Sequence, residues 1–430
     1  MGGGQEQRGV VRQRLLVLTL AALAAGVGIG SWWGRLGPNA SQPQSWPRPL
    51  SVTSEQTRQL GSLGYLAGSR RAHGDTGVLR HSPQAQEGLN FYVSGHGPEA
   101  VLMDMQGRPL HRWRYPYRRA FPDTNLPTTL NGRDFWRRAL LLPDGDVIAV
   151  FDGQGLMRID RLSHLRWTAP IGAHHDLFLA PDGHLWVLSR KVRLIPEINA
   201  EEPVFEDFVS VVDGAGKVVR EISILKALWR SNYRSLLAAG PGSGDLLHTN
   251  ALFPLTGEHS AEIPAFRKGN LLLSLPHLNA LAVLDPDRQE IVWALAGASH
   301  FQHNPTLIPA GGLLLLDNRW RPGASRAVEI DPVTQKVLWQ YRGTPQNPFY
   351  TEYNGAAYRL ANRDTLLVES DAGRAIEVDP QGEIVWEFRT PHKTKDGLIA
   401  TLFDLKRINP ADLHFPFYAD QARTAAGEAP

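Results

Sequence analysis

The chain has 430 residues, 42% of them hydrophobic, which is enough for a substantial core and excludes a disordered protein. Its 45 Lys and Arg against 43 Asp and Glu leave a formal charge of +2, and no basic run is interleaved with aromatics, so nucleic acid is not expected as a partner. Cysteine is absent, which excludes disulfides, thiolate metal sites and cysteine nucleophiles and suits an oxidising compartment.

At the N-terminus, Arg8, Arg12 and Arg14 precede residues 15–33, a run of 19 uncharged, mostly apolar residues ending in Trp32-Trp33. That length spans a bilayer, with the arginines on the side that stays cytoplasmic and the indoles at the far interface. Residues 1–36 are therefore expected to be a transmembrane signal-anchor helix that leaves the rest of the chain outside the cytoplasm, held at an inner membrane in the periplasm. Ala22-Leu23-Ala24 keeps a cleaved signal peptide open as the alternative. Residues 37–83, rich in Pro, Ser, Gly, Gln and Arg, read as a linker.

Beyond the linker a segment recurs six times. AVLMDMQGRPLHRW (100–113) returns as LMRIDRLSHLRW (156–167), VSVVDGAGKVVREI (209–222), LAVLDPDRQEIVWAL (281–295), AVEIDPVTQKVLWQY (327–341) and AIEVDPQGEIVWEF (375–388). Each copy is an apolar strand ending in Asp, a short polar turn and a second strand, which is a β-hairpin. Successive anchors Asp104, Asp160, Asp213, Asp285, Asp331 and Asp379 lie 56, 53, 72, 46 and 48 residues apart. This is too long for one hairpin and right for a four-stranded propeller blade. The expected fold is all-β, a six-bladed β-propeller over residues 84–400, with residues 401–430 as a C-terminal extension. Trp113, Trp167, Trp293, Trp339 and Trp386 follow five of the six Asp anchors by seven to nine residues and are expected to pack between blades.

The second half of each blade contains another register. Six residues before the turn at Pro143, Pro181, Pro254, Pro309 and Ala361 stand Arg137, His175, His248, His303 and Gly355, each just ahead of an apolar strand. The innermost strand of a blade lines the central channel, so Arg137, His175, His248 and His303 should face one space. His174 adjoins His175, and strand alternation should let only one of the two face the channel. Three ring histidines would also suit Zn²⁺ with an open position, but no H-E-x-x-H helix or other carboxylate-bearing signature accompanies them, so neither a metal nor another cofactor is expected. After the strand following His303 comes DNRWRPGASRAVEI, whose Asn318, Arg319, Arg321 and Arg326 bring guanidiniums suited to clamping a tetrahedral oxyanion.

At these residues the chain resembles the arylsulfotransferase family of extracytoplasmic bacterial enzymes, over roughly residues 85–400. The resemblance rests on GLNFYVSGHGPEAVLMDMQGRPLHRW, HTN (248–250), QHN followed by LLLLDN, SRAVEIDP (325–332) and YRLANRDTLLVESDAGRAIEVDPQGEIVWEF. It implies a six-bladed propeller in which a histidine takes the sulfuryl group from an aryl sulfate and passes it to a phenolic acceptor, without phosphoadenosine phosphosulfate. It further implies catalytic roles for His248, His303 and Arg321 or Arg326; Arg137 and His175 of the ring, with Asn250 and Asn318, are expected to bind substrate. The family's sulfuryl-accepting histidine comes from the next blade, where VESDAGRAIEV (368–378) offers only Ser370 and Asp371, with His392 the nearest histidine downstream. His303 or His248 would then be the nucleophile. The alternative is a propeller that binds a sulfated or aromatic ligand, or a protein, without transfer. The sequence leaves the oligomeric state open.

Overall fold

The structure is a computed structural model and describes residues 46–50, 52–53, 67–69, 74–123, 132–309 and 311–417. The expected membrane helix falls outside the described residues; among those described, no helix is long and apolar enough to cross a membrane. Among the described residues of 39–430, six sheets share one antiparallel four-stranded plan, the blades of a propeller. The first strands are Arg138–Leu141, Ala173–Leu179, Ala251–Pro254, His303–Leu307, Ala356–Arg359 and Leu402–Ile408, in blades one to six. First strands of successive blades one to five touch one another, placing them at the axis.

The repeated Asp has one job in all six copies. Its Oδ1 accepts backbone N–H bonds from the turn that follows: from Gln106 and Arg108 at Asp104, Leu162 and His164 at Asp160, and Ala215 and Lys217 at Asp213. The same holds for Asp287 and Arg288 at Asp285, Val333 and Thr334 at Asp331, and Gln381 and Glu383 at Asp379. An Asx turn satisfies donors that a tight hairpin would otherwise leave unpaired. The tryptophans tie blades together as expected. Trp113 Nε1 donates to the Gly145 carbonyl at 2.8 Å, Trp386 Nε1 to Met105 at 3.0 Å and Trp339 Nε1 to Pro380 at 3.1 Å, each a turn of the following blade.

Two boundaries differ from expectation. Leu402–Ile408 is not an extension: it pairs with Leu89–Ser94 as the innermost strand of blade six, whose other strands are Glu99–Met103 and Pro109–Arg114. The end of the chain thus closes the ring against its beginning, covering an edge whose backbone groups would otherwise stand unpaired. Within the stretch expected to be a linker, Gly77–His81 adds a fifth strand to blade five by pairing with Ile384–Arg389, and Gly68–Ser69 pairs with Ile399–Ala400. A single added strand carries no hairpin signature, so the repeat search passes over it.

The 72-residue spacing has its own cause. After blade two, Ser223 caps a helix, Ile224–Arg230, accepting the Lys226 N–H at 3.0 Å, and the helix buries Ile224, Leu225, Ala227 and Leu228. The chain returns through Gly244–Asp245, which pairs in parallel with Val204–Phe205. This insertion carries Asp245 and His248 to the end of the channel where the first strands begin.

Candidate functional site

The slot residues gather at that end, but the backbone there is not regular strand. His175, His248 and Asn304 have left-handed φ values of 49°, 52° and 51°, and the ladders slip between Ala173 and Leu177 and between His303 and Thr306. Left-handed backbone costs a non-glycine residue about 1–3 kcal/mol and collects at functional sites. At the fifth slot, Gly355 has φ 131°, and a Cβ would lie 2.4 Å from Leu316 Cδ2, so no side chain fits there. The bulge also cancels the expected alternation of His174 and His175. Both are buried, and their Nδ1 atoms share a hydrogen bond of 2.8 Å.

Four imidazoles and a phenyl ring form one cluster. His175 meets His248 edge-on at 4.8 Å between centroids, His248 stacks on His277 at 4.7 Å, and Phe301 lies 6.1, 5.6 and 6.3 Å from His248, His277 and His303. Phe301 has φ 56°, and its N–H donates to Asn279 Oδ1 at 3.0 Å. Arg319 lies over it at 4.0 Å and reaches Tyr353 at 5.2 Å. Half-buried Phe301 and exposed Arg319 and Tyr353 form the outer rim.

His303 has a defined tautomer. Asn318 Nδ2 donates to the carbonyls of Thr351 and Asn354 at 2.9 and 2.8 Å, which turns its Oδ1 toward His303 Nδ1 at 2.9 Å; the Phe301 carbonyl lies 3.2 Å from the same nitrogen. Both partners are acceptors, so Nδ1 carries the proton and Nε2 the lone pair. Nε2 is buried and has no hydrogen-bond partner. Burial, with Arg137 and His248 adding to it, pushes the His303 pKa down to about 3 against the hydrogen bonds to Asn318 and Phe301, so the ring is neutral at ordinary pH.

Charged groups surround this cluster. Buried Arg137 donates from Nη2 to Asn354 Oδ1 at 2.7 Å and lies over Phe403. Arg190 pairs with fully buried Asp152 at 3.2 Å, and Asp207 accepts the Thr249 N–H at 2.9 Å. Burial and the neighbouring Asp245 charge push Asp207 up to about 7. Burial alone would raise Asp245, but His248, His277 and Arg190 outweigh it and hold its carboxyl well below the usual range. One residue further along the first strands, Arg138 bridges the axis to Asp176 and Asp404, both at 2.7 Å, and Tyr358 OH donates to Asp404 at 2.6 Å. Blades one, two, five and six are thereby joined.

Of the residues expected from sequence, Arg137, His175, His248 and His303 come together, and Asn318 orients His303. Asn250 does not face a ligand with its amide N–H: Nδ2 donates to the Gln302 carbonyl at 3.0 Å and links blades three and four. The expected catalytic arginines are elsewhere. Arg326 pairs with Asp317 at 2.9 Å, and Arg321 is exposed beside Trp320. The ladder pairs Asp317 with Arg326, on the opposite face of the blade from Leu316 and His303. Asp371 braces the neighbouring loop, its Oδ2 accepting the Glu352 N–H, and the Ser370 hydroxyl is buried in the turn beside it. His392 belongs to another cluster, stacked on His96 at 3.8 Å.

Sequence reasoning missed His277, Phe301, Tyr353, Arg190, Asp152, Asp207 and Asp245. One signal was available for His277. The short turn Pro276–Leu278 and its left-handed Asn279 occupy the place in blade three that Ser370–Ala372 and Gly373 occupy in blade five, so His277 is the counterpart of Asp371.

Among solved structures, a protein of unknown function from Bacteroides caccae is 11% identical, with a TM-score of 0.48, covering 75% of this chain and 99% of its own. Virginiamycin B lyase from Staphylococcus aureus is 12% identical (TM-score 0.39; 74% and 90% covered), and the Dos1 propeller is 13% identical (0.39; 78% and 77%). Among curated proteins, none matches. The family model described as arylsulfotransferase (ASST) matches residues 138–391, which run from the first strand of blade one to just past the last strand of blade five and include Arg138, the four clustered histidines, Phe301 and Asn318. On that match the chain belongs to the arylsulfotransferase (ASST) family.

Proposed function

We propose that this propeller transfers a sulfuryl group from an aryl sulfate to a phenolic acceptor, with His303 as the group that carries it. The observation behind this reading is the His303 tautomer: a buried, neutral imidazole whose Nδ1–H is held by Asn318 and whose Nε2 lone pair has no partner. In the first half-reaction Nε2 forms a bond to sulfur as the S–O bond to the aryl ring breaks and the phenolate leaves. The positive charge that develops on the ring is shared with Asn318 Oδ1 through Nδ1–H. In the second, the acceptor phenol loses its proton to water, which returns it to the phenolate released in the first, its oxygen attacks sulfur, and the N–S bond breaks to restore the neutral imidazole. Arg137 and His248, both electrostatic neighbours of His303, would stabilise negative charge on the sulfuryl and phenolic oxygens.

The test is a chromogenic aryl sulfate with and without a phenol. Ping-pong kinetics and a mass gain of about 80 Da on the protein in the absence of acceptor support the reading; no phenol release at any acceptor concentration sinks it. One observation favours the second reading, a propeller that binds a sulfated ligand without transferring it: both arginines expected beside the sulfate are engaged elsewhere. Calorimetric binding of an aryl sulfate with no turnover would select it. We also propose that the N-terminal leader holds the propeller outside the cytoplasm. Protease added to intact spheroplasts should digest it, and full protection would refute that orientation.

A further inference from the structure

The insertion between blades two and three and a turn of blade three bring Asp245, His248 and His277 together, and one donor atom from each lies within 4.8 Å of the other two. His248 Nδ1 donates to Asp245 Oδ2 and His277 Nδ1 to the backbone carbonyl of Asp245, both at 2.5 Å. Two imidazole nitrogens and two oxygens of one residue therefore converge from separate segments. Arg190, whose charge acts on Asp245, is itself paired with fully buried Asp152 at 3.2 Å.

We propose that Asp245, His248 and His277 bind one divalent transition-metal ion of zinc's class, which takes the place of the Nδ1 protons as each imidazole shifts to its Nε2–H tautomer. Mixed imidazole and carboxylate donors suit such an ion better than Mg²⁺ or Ca²⁺, which take oxygen ligands. Bound there, it would lie against the imidazole cluster that Phe301 covers, adding to the positive charge of Arg137, Arg190 and Arg319 around the channel mouth. Composition alone does not make such a site. His96, Glu99 and His392 form an equally close trio, but Glu99 is held by Arg112 at 2.7 Å, so a cation is already in place.

The proposal does not depend on the sulfotransfer reading, and its test uses no substrate. The full chain, stripped with chelator and desalted, is titrated with ZnCl₂ alone by calorimetry and with CoCl₂ alone by visible absorption. One equivalent should bind, with ligand-field bands from nitrogen-bound Co²⁺. His277→Ala and Asp245→Asn should each weaken Zn²⁺ binding by about 10- to 100-fold or more and abolish the Co²⁺ bands. His184→Ala, at an exposed histidine paired with Asp182, should leave both unchanged. His277→Gln serves if the alanine variant shows a lowered unfolding midpoint without metal. Absence of stoichiometric uptake by the folded chain, or uptake that His277→Ala or His277→Gln leaves within about twofold, overturns the proposal.

Discussion

Among the described residues, two histidine–carboxylate trios lie in this propeller, Asp245/His248/His277 at the channel mouth and His96/Glu99/His392 at blade six, and their partners separate them. At blade six every strong acceptor is spoken for. Glu99 takes Arg112 and His96, His96 Nδ1 is 2.5 Å from Ser94 Oγ, and His392 Nε2 meets Tyr92 OH at 3.0 Å. Burial would raise Glu99, but the hydrogen bond from His96 and the charges of Arg112 and Arg114 bring it down to about 2. The mouth instead adjoins His303, whose Nε2 is buried without a partner, and the two buried carboxyls of Asp152 and Asp207. A saturated network locks two blades; an incompletely satisfied one next to a lone pair is where chemistry is possible.

The sharpest way to break the comparison is to remove one histidine from each side. His303→Ala should lower any sulfotransfer by about 10⁴-fold or more, as loss of a nucleophile does, while His392→Ala should change it by less than about threefold. Equal losses in an aryl sulfate assay would erase the distinction. Next in size is the buried bridge beneath the mouth. Arg138→Met strands Asp176 and Asp404 and should cost about 3–5 kcal/mol in urea unfolding, whereas Arg112→Met, at a half-exposed pair, should cost about 1 kcal/mol. Comparable costs would mean that the axis is better solvated than the burial implies.

The pH response sharpens the contrast by its sign. Burial, with His96 and Arg112 against Glu99, pushes His392 down to about 4, below its unfolded value, so unfolding takes up protons there and its contribution to stability falls as pH drops from about 6.5 to 4. Asp207, raised to about 7, works in reverse: the folded state holds the proton, and stability falls as pH climbs from about 4 to 7. His392→Asn should flatten the first limb of a urea-midpoint profile and Asp207→Asn the second. Unchanged profiles in both variants would refute the assigned shifts. The smallest effect belongs to the scaffold. Asp331→Ala removes two N–H···O bonds in an exposed hairpin turn and should cost about 1 kcal/mol by thermal unfolding, with metal binding and activity unchanged.

What was legible in the sequence follows from what repeats. Six Asp-anchored hairpins with following indoles are local chemistry, each set by its own turn, and they carry the blade count. The register of Arg137, His175, His248 and His303 is equally local, since each stands a constant distance before a turn. The strand Leu402–Ile408 was missed because its partner, Leu89–Ser94, lies more than 300 residues away and a lone strand has no turn to announce it. Arg326 sits apart from His303 because proximity in sequence says nothing of which face of a strand a side chain takes: Asp317, its partner, and Asn318 point to opposite faces, while Arg321 lies exposed at the strand's end.

The sequence by itself therefore determined the all-β six-bladed architecture and the ring of slot residues, because turn chemistry and side-chain period act over a few residues. Only the tertiary structure decided which nitrogen of His303 carries the lone pair, that Asp245 and His277 join His248, and that Arg138, Asp176 and Asp404 bridge the axis. Those outcomes depend on distances between separate blades, and closing the ring is what sets them.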